Sequence, residues 1–392
     1  MKRFFLTLFA LLLTIAPAHA ADFGASAIVT FNARAITSTT TTGMADPFAK
    51  RSLTIDDPAR IASVSKLVVA LAVMRLVDAG KLNLDRDVSD YLGWRLRNPA
   101  FPDKAITIRL LLSHQSSLTD NVDYAIPLGG SVQASAADPK AWDAAHPPGA
   151  YFRYANLNFP VIASVMEAAT RKRFDTLMAW LVFKPLKFDA CFNWTTCSDA
   201  TVTRAVVLTD GAGAIRRDHL QGKRPACPTV PAADGSCDLS RYILATNGAL
   251  FSPQGGLRIS ARGLATVGQM LLRRGRGFLK PASFKVMISP QWRYDGSNGD
   301  TEGGFWCSYA LAVQMLASGA MGCKDDPFGD GRQRIGHPGE AYGLRSGLWI
   351  DPVAGTGTAY FITAVADEAA KGRSAFNAVE EALLQGQAEA RK

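Results

Sequence analysis

Two rhythms of apolar and polar residues run along this chain, and they divide it into helical and strand-forming stretches. Residues Ser63 to Asp78, SVSKLVVALAVMRLVD, carry apolar side chains at helical spacing and stop at Ala79-Gly80, which predicts a mostly buried helix whose first turn begins at Ser63. Thr107 to Ser113, the region between Asn158 and Leu186, and Ser260 to Arg274 predict further helices, the last ending at Gly275. Strand signals lie near the chain ends. Ala25 to Ala35 is rich in β-branched and apolar residues, with a second strand expected near Ile36 to Met44. Beyond about residue 300, FWCSYALAVQML, LRSGLWIDP and GTGTAYFITAVA are short β-rich runs separated by Gly, Pro and Asp, and Ser374 to Arg391 returns to a helical period. Between these blocks, Asp120 to Pro148 and Thr209 to Asp238 lose both rhythms and read as long loops. The expected fold is α/β plus all-α: an antiparallel sheet flanked by helices and built from both chain ends (21–62 and 300–392), with a mainly helical lobe (63–299) inserted and a cleft between the two.

At 392 residues the chain exceeds what one small core organises, and 48% apolar with 20% charged residues excludes a disordered protein. The opening segment, residues 1–20, places Lys2 and Arg3 before an apolar run from Phe4 to Ala16 and ends in Ala18-His19-Ala20. It reads as a secretory signal, its run being short for a membrane span. Loss of Lys2 and Arg3 would lower the net charge from +9 to +7, spread too thinly along the chain to imply nucleic acid. Export to the periplasm or the medium would put six cysteines in an oxidising compartment. They fall as neighbours, so pairing 191 with 197, 227 with 237 and 307 with 323 is expected among about fifteen connectivities. No C-x-x-C or clustered histidine suggests a metal, and no cofactor is expected.

Ser63-Val64-Ser65-Lys66 is where chemistry first becomes visible. A serine at a helix start and a lysine three residues on share a face, so a proton can pass between them. Serine is a weak nucleophile and needs such a base, which lysine becomes when burial holds it neutral. The S-x-x-K pattern has little specificity by itself, but it occurs once in this chain, inside an apolar helix start.

That helix, followed by ITIRLLLSHQSSL, PPGAYFRYANLNF, SPQGGLRISARGLATVGQML and IGHPGE, resembles the β-lactamase-related serine hydrolases over nearly the whole chain after the leader. That family includes class C β-lactamases, D-alanyl-D-alanine carboxypeptidases, D-aminopeptidases and esterases. The resemblance implies Ser63 as the acylated nucleophile, Lys66 as its proton partner and Tyr154 of Tyr154-Ala155-Asn156 as general base or acid, its pKa lowered by Lys66. It also implies Asn156 as a ligand of substrate carbonyl or of the lysine. His337-Pro338-Gly339 stands where lactamases carry K-T-G, so His337 is expected to supply a hydrogen bond or partial positive charge near the Tyr154 hydroxyl. Gly339 would admit the substrate, and the Glu340 and Ser63 amides would form the oxyanion hole.

Pro338 departs from the family pattern: it lacks the hydroxyl that helps to bind a substrate carboxylate, leaving Arg345 as a candidate replacement or as an ordinary strand arginine. His114 reads as a structural hydrogen-bonder. Trp142, Tyr124 and Phe152 could line a cleft or anchor the first long loop. The expected activity is acyl-enzyme hydrolysis of small esters or amides. A D-alanyl-D-alanine carboxypeptidase acting on a peptidoglycan-like substrate, a weak β-lactamase, and a non-catalytic ligand sensor using the same cleft are the alternatives. The oligomeric state is left open.

Overall fold

The computed structural model describes residues 24–389, so the leader-like segment lies outside the described residues. An antiparallel sheet of eight strands forms the backbone of the molecule. In chain order these are β1 (Ser26–Asn32), β2 (Ile36–Thr42), β3 (Trp292–Arg293), β4 (Ser308–Tyr309), β5 (Gln314–Met315), β6 (Ile335–Ala341), β7 (Leu344–Asp351) and β8 (Thr356–Ile362). Their spatial order is β3-β4-β5-β6-β7-β8-β1-β2, so the N-terminal hairpin completes a sheet made mostly by the C-terminal quarter. Strand β1 pairs with β8 from Ser26 opposite Ile362 to Asn32 opposite Thr356, and its interior residues are buried on both faces. Strand β2, ITSTTTT, is the exposed edge, and its threonines keep β propensity while facing water.

Both faces are covered, which is why β1, β7 and β8 are buried along nearly their whole length. One face carries helix α1 (Val64–Asp78) and helix α4 (Ala261–Leu272), α2 (Ile108–Leu112) and α3 (Asn158–Thr170) lying in the layer beyond. Helix α1 is buried along nearly its whole length rather than along one stripe, as befits a helix enclosed on all sides. Helix α4 is amphipathic and capped by Ser260, whose Oγ accepts from Gly263 N at 3.1 Å. Its Gly268 lies against Phe31 and Leu348 so closely that a Cβ would fall 2.1 Å from the Phe31 ring. The C-terminal helix α5 (Ala378–Glu389) takes the opposite face, where Phe376 and Leu384 pack with Ile28, Trp349 and Tyr360.

Helices α1 and α4 both belong to the 63–299 segment in sequence, yet both pack directly on the sheet. The stretch from Asp120 to Pro148 holds a short helix, Val132–Ala137, that the loop reading missed; Ser131 caps it through Ala134 N. The second excursion carries the strand pair Leu208–Thr209 and Ile215–Arg217. All three neighbour disulfides are formed, with Cα separations of 5.1, 5.7 and 6.1 Å. Among the described residues no helix is long and apolar enough to cross a membrane.

Candidate active site

The turn into α1 sets the geometry. Strand residues Ala59–Arg60 pair with Leu257–Ile259, and the chain then reverses through Ala62, held at φ +46°, into Ser63. That left-handed alanine is a strained conformation fixed by its surroundings. Ser65 pins the turn, its Oγ donating to Ala62 O at 2.6 Å and accepting from Leu257 N at 3.1 Å. Ser63 does not cap the helix, so its hydroxyl is left to other partners.

One of them is Lys66, which is fully buried. Its Nζ donates to Ser63 Oγ at 2.9 Å, Asn156 Oδ1 at 2.7 Å and Gln254 O at 2.8 Å. Burial pulls its pKa down to about 7, with Asp120 opposing the shift. Asp120 also orients Asn156, because its carboxylate accepts from Asn156 Nδ2 at 2.9 Å and from the amides of Asn156 and Leu157 at 2.8 and 3.0 Å. With its Nδ2 occupied there, Asn156 must turn its Oδ1 to Lys66. Sequence reasoning missed Asp120; the only local signal is its place at the end of the LLSHQSSLTD run.

Tyr154 is clamped between two rings, Trp306 at 4.4 Å and His114 at 4.3 Å between centroids. His114 is itself buried, and its Nδ1 accepts from Ala155 N and Asn158 Nδ2 at 3.1 and 3.0 Å, which makes Nε2 the protonated nitrogen. It is a positioning group for the tyrosine loop, in line with its structural reading. Tyr154 Oη is buried without a hydrogen bond of ordinary geometry, although Ser63 lies close enough to favour the ionised phenol. Burial wins, and the phenol is driven well above its ordinary range. Lys66 sits 4.9 Å from the ring centroid. The expectation of a tyrosine lowered by Lys66 is therefore corrected: the group poised near neutrality is the lysine, because desolvation moves the amine down and the phenol up.

Strand β6 supplies the far wall. A Cβ on Gly339 would fall 2.4 Å from both Ile61 O and Ser346 Oγ and 3.1 Å from Ser63 N, so only glycine lets this strand approach the nucleophile. His337 is buried, its Nδ1 against Pro338 O at 2.6 Å and its Nε2 against Tyr309 Oη at 2.8 Å. Burial and the Lys66 charge lower it to about 3. The partial positive charge expected of His337 is thus absent; it is a neutral ring supporting the aromatic wall, since a cation there would be desolvated beside another.

Arg345 does reach the cavity, but Glu340 Oε1 holds its Nη1 at 2.7 Å. The cavity, about 360 Å³, is lined by Ser63, Tyr154, Asn156, Trp306, Pro338 and Gly339, together with Glu302, Glu380 and Lys371. Glu380 accepts from Tyr360 Oη at 2.8 Å, and burial raises it to about 7. Neither Trp142 nor Phe152 lines this space: Trp142 ties its own loop through Ala136 O, and Phe152 stacks on Trp292 behind the wall. Besides Tyr154, the aromatic lining comes from Phe305 and Trp306 in the β-rich segment. Among the described residues no group of His, Cys, Asp and Glu is arranged to hold a metal ion.

A buried lysine on a serine hydroxyl, a tyrosine over the pair and a glycine strand against the serine amide can activate the hydroxyl and accommodate a tetrahedral oxyanion. Comparison with known proteins places the chain in a family. Esterase EstB of Burkholderia gladioli is 32% identical over 168 residues, 38% of this chain and 42% of its own length. Penicillin-binding protein 4 of Amycolatopsis lactamdurans is 30% identical over 137 residues, 34% of this chain and 36% of its own length, so each match spans well under half of the relative. In fold, a class C β-lactamase from Rhodobacter sphaeroides superposes with a TM-score of 0.67 over 95% of this chain and 96% of its own, at 14% identity. The family model described as Beta-lactamase matches residues 17–381, and the chain belongs to that family.

Proposed function

We propose that the protein is an exported serine hydrolase that cleaves small esters or amides through an acyl-enzyme on Ser63. The observation that carries this reading is the 2.9 Å contact from the fully buried Lys66 Nζ, with a pKa of about 7, to Ser63 Oγ. In its neutral form Lys66 takes the Ser63 proton as Oγ attacks the substrate carbonyl. The Ser63 and Glu340 amides stabilise the oxyanion, and Tyr154, a neutral phenol, hands a proton to the leaving group. Lys66 then passes its proton back to Tyr154. Water attacks the acyl-enzyme carbonyl and gives its proton to Lys66, Tyr154 protonates the departing Ser63 Oγ, and a last transfer from Lys66 to Tyr154 restores both groups. Asn156, oriented by Asp120, holds the lysine in register.

Neutral substrates are favoured over β-lactams because the carboxylate contacts are missing on this wall: Pro338 has no hydroxyl and Arg345 is already paired with Glu340. Esterase EstB supports the ester reading by its name, as Penicillin-binding protein 4 supports a link to penicillin-type ligands. Three disulfides and the leader-like opening support export. A fluorophosphonate probe tests the nucleophile: it should add mass to the peptide holding Ser63, and Ser63→Ala should abolish both labelling and turnover. Labelling that persists in the variant, or maps to another serine, overturns the reading.

A further inference from the structure

A second cavity, about 450 Å³, opens beside the loop closed by Cys227–Cys237 and shares no lining residue with the catalytic one. Three arginines, Arg60, Arg217 and Arg258, border it against one carboxylate, Asp218. That carboxylate is already committed. Arg258 binds it through Nε at 3.1 Å and Nη2 at 2.9 Å, in a pair that is almost entirely buried.

Arg60 and Arg217 are left without such a partner. Arg60 donates Nε to Gly255 O at 2.8 Å, and its guanidinium lies 4.6 Å from the Tyr342 ring centre. Arg217 donates Nη2 to Tyr342 Oη at 3.2 Å and lies 4.7 Å from the same ring. Among the described residues neither has a carboxylate within ion-pair distance, whereas the adjacent Arg216 has two, Asp210 and Asp367. Tyr342 is fixed for this contact at φ +56°, the first residue of a tight turn between β6 and β7 whose second is Gly343 at φ +71°. Two guanidinium groups gathered on one ring, at the edge of a cavity with an unpaired excess of positive charge, are an arrangement that an oxyanion would relieve. Burial and the neighbouring Arg258 and Arg217 lower even the Arg60 guanidinium to about 10. Trp194, Pro228 and Val230 supply an apolar side to the same space.

We propose that Arg60 and Arg217 bind the oxyanion of a small organic phosphate or carboxylate in this cavity, at a site separate from the catalytic cleft. The volume suits a compact body with one anionic end. Isothermal titration of the Ser63→Ala protein with phenyl phosphate, benzoate and benzyl alcohol tests it. At least one of the two anions should bind at roughly millimolar Kd or tighter, more weakly as salt rises, and benzyl alcohol should not bind. The anion that binds more tightly identifies the phosphate or the carboxylate as the preferred group. Arg217→Gln, at an exposed position where folding is not at stake, and Arg60→Gln should each weaken binding at least about tenfold. The same titration on wild-type protein carrying a fluorophosphonate adduct at Ser63 should give an unchanged Kd. No binding of either anion up to roughly 10 mM, an affinity unmoved by Arg217→Gln, or loss of binding in the adduct overturns the proposal. Failure to form the adduct counts against Ser63 as nucleophile, and the Ser63→Ala titration then still decides the anion site.

Discussion

Lys66 carries three hydrogen bonds from a fully buried ammonium, and its pKa of about 7 makes its protonation state the variable that pH controls. If the neutral amine is the base, kcat/KM rises as pH climbs through about 7 and levels off above it, because the amine is charged and inert below that value. Glu380 also titrates near 7 on the cavity wall, so Glu380→Gln serves as the control: the rising limb should persist in it. A limb that vanishes in Glu380→Gln, measured in pH-rate profiles, would assign it to the carboxyl instead. Tyr154→Phe keeps the stack between His114 and Trp306 and removes only the hydroxyl. Turnover should drop by roughly 10²–10⁴ with the thermal midpoint little changed. An undiminished rate means that water protonates the leaving group. Ser63 and Lys66 were legible from their spacing at a helix start, and Tyr154 and Asn156 through the family resemblance. Asp120 was not, because an aspartate in a loop becomes informative only when the amide it orients is known.

Two elements meet where β6 touches the start of α1, and two others where α4 crosses β1. Both contacts depend on glycine for want of space. At the first, Gly339→Ala would push its Cβ into Ile61 O and Ser346 Oγ and move the strand from the Ser63 amide; at the second, Gly268→Ala would drive into the Phe31 ring. Gly268→Ala should cost about 1–3 kcal/mol of stability as overpacking, read as a lowered thermal midpoint, while the activity of the folded fraction stays near wild type. Gly339→Ala should instead depress kcat. Comparing the two variants by melting curve and by initial rate separates a packing glycine from a site glycine, and equal losses of rate would refute that distinction.

For the molecule as a whole, the placement of charge around the catalytic cavity decides what it accepts. Short-chain neutral p-nitrophenyl esters should be hydrolysed with kcat/KM at least about tenfold above nitrocefin, the ratio that a lost interaction of about 1.4 kcal/mol produces. Pro338→Thr restores a hydroxyl but leaves Arg345 held by Glu340. The double variant Pro338→Thr/Glu340→Ala should therefore narrow the gap further than Pro338→Thr alone. A wild-type preference for nitrocefin, or a ratio that neither variant moves, would count against the carboxylate argument.

The hydrophobic pattern sufficed for α1, α4 and the strands β1, β7 and β8, because each is buried over most of its length and burial dominates local propensity. Neighbouring cysteine positions likewise sufficed for the three disulfides, since short loops bring their ends together at little entropic cost. The helix Val132–Ala137 was hidden, as a six-residue helix has too few turns to show a period. What only the tertiary structure decided was electrostatic. The neutral state of His337, the high pKa of Tyr154 and the near-neutral pKa of Lys66 depend on burial and on partners far away in sequence, and the capture of Arg345 by Glu340 depends on the register of the β6–β7 hairpin. A motif specifies which groups are present, whereas desolvation, set by everything packed around them, specifies which of those groups carries the proton.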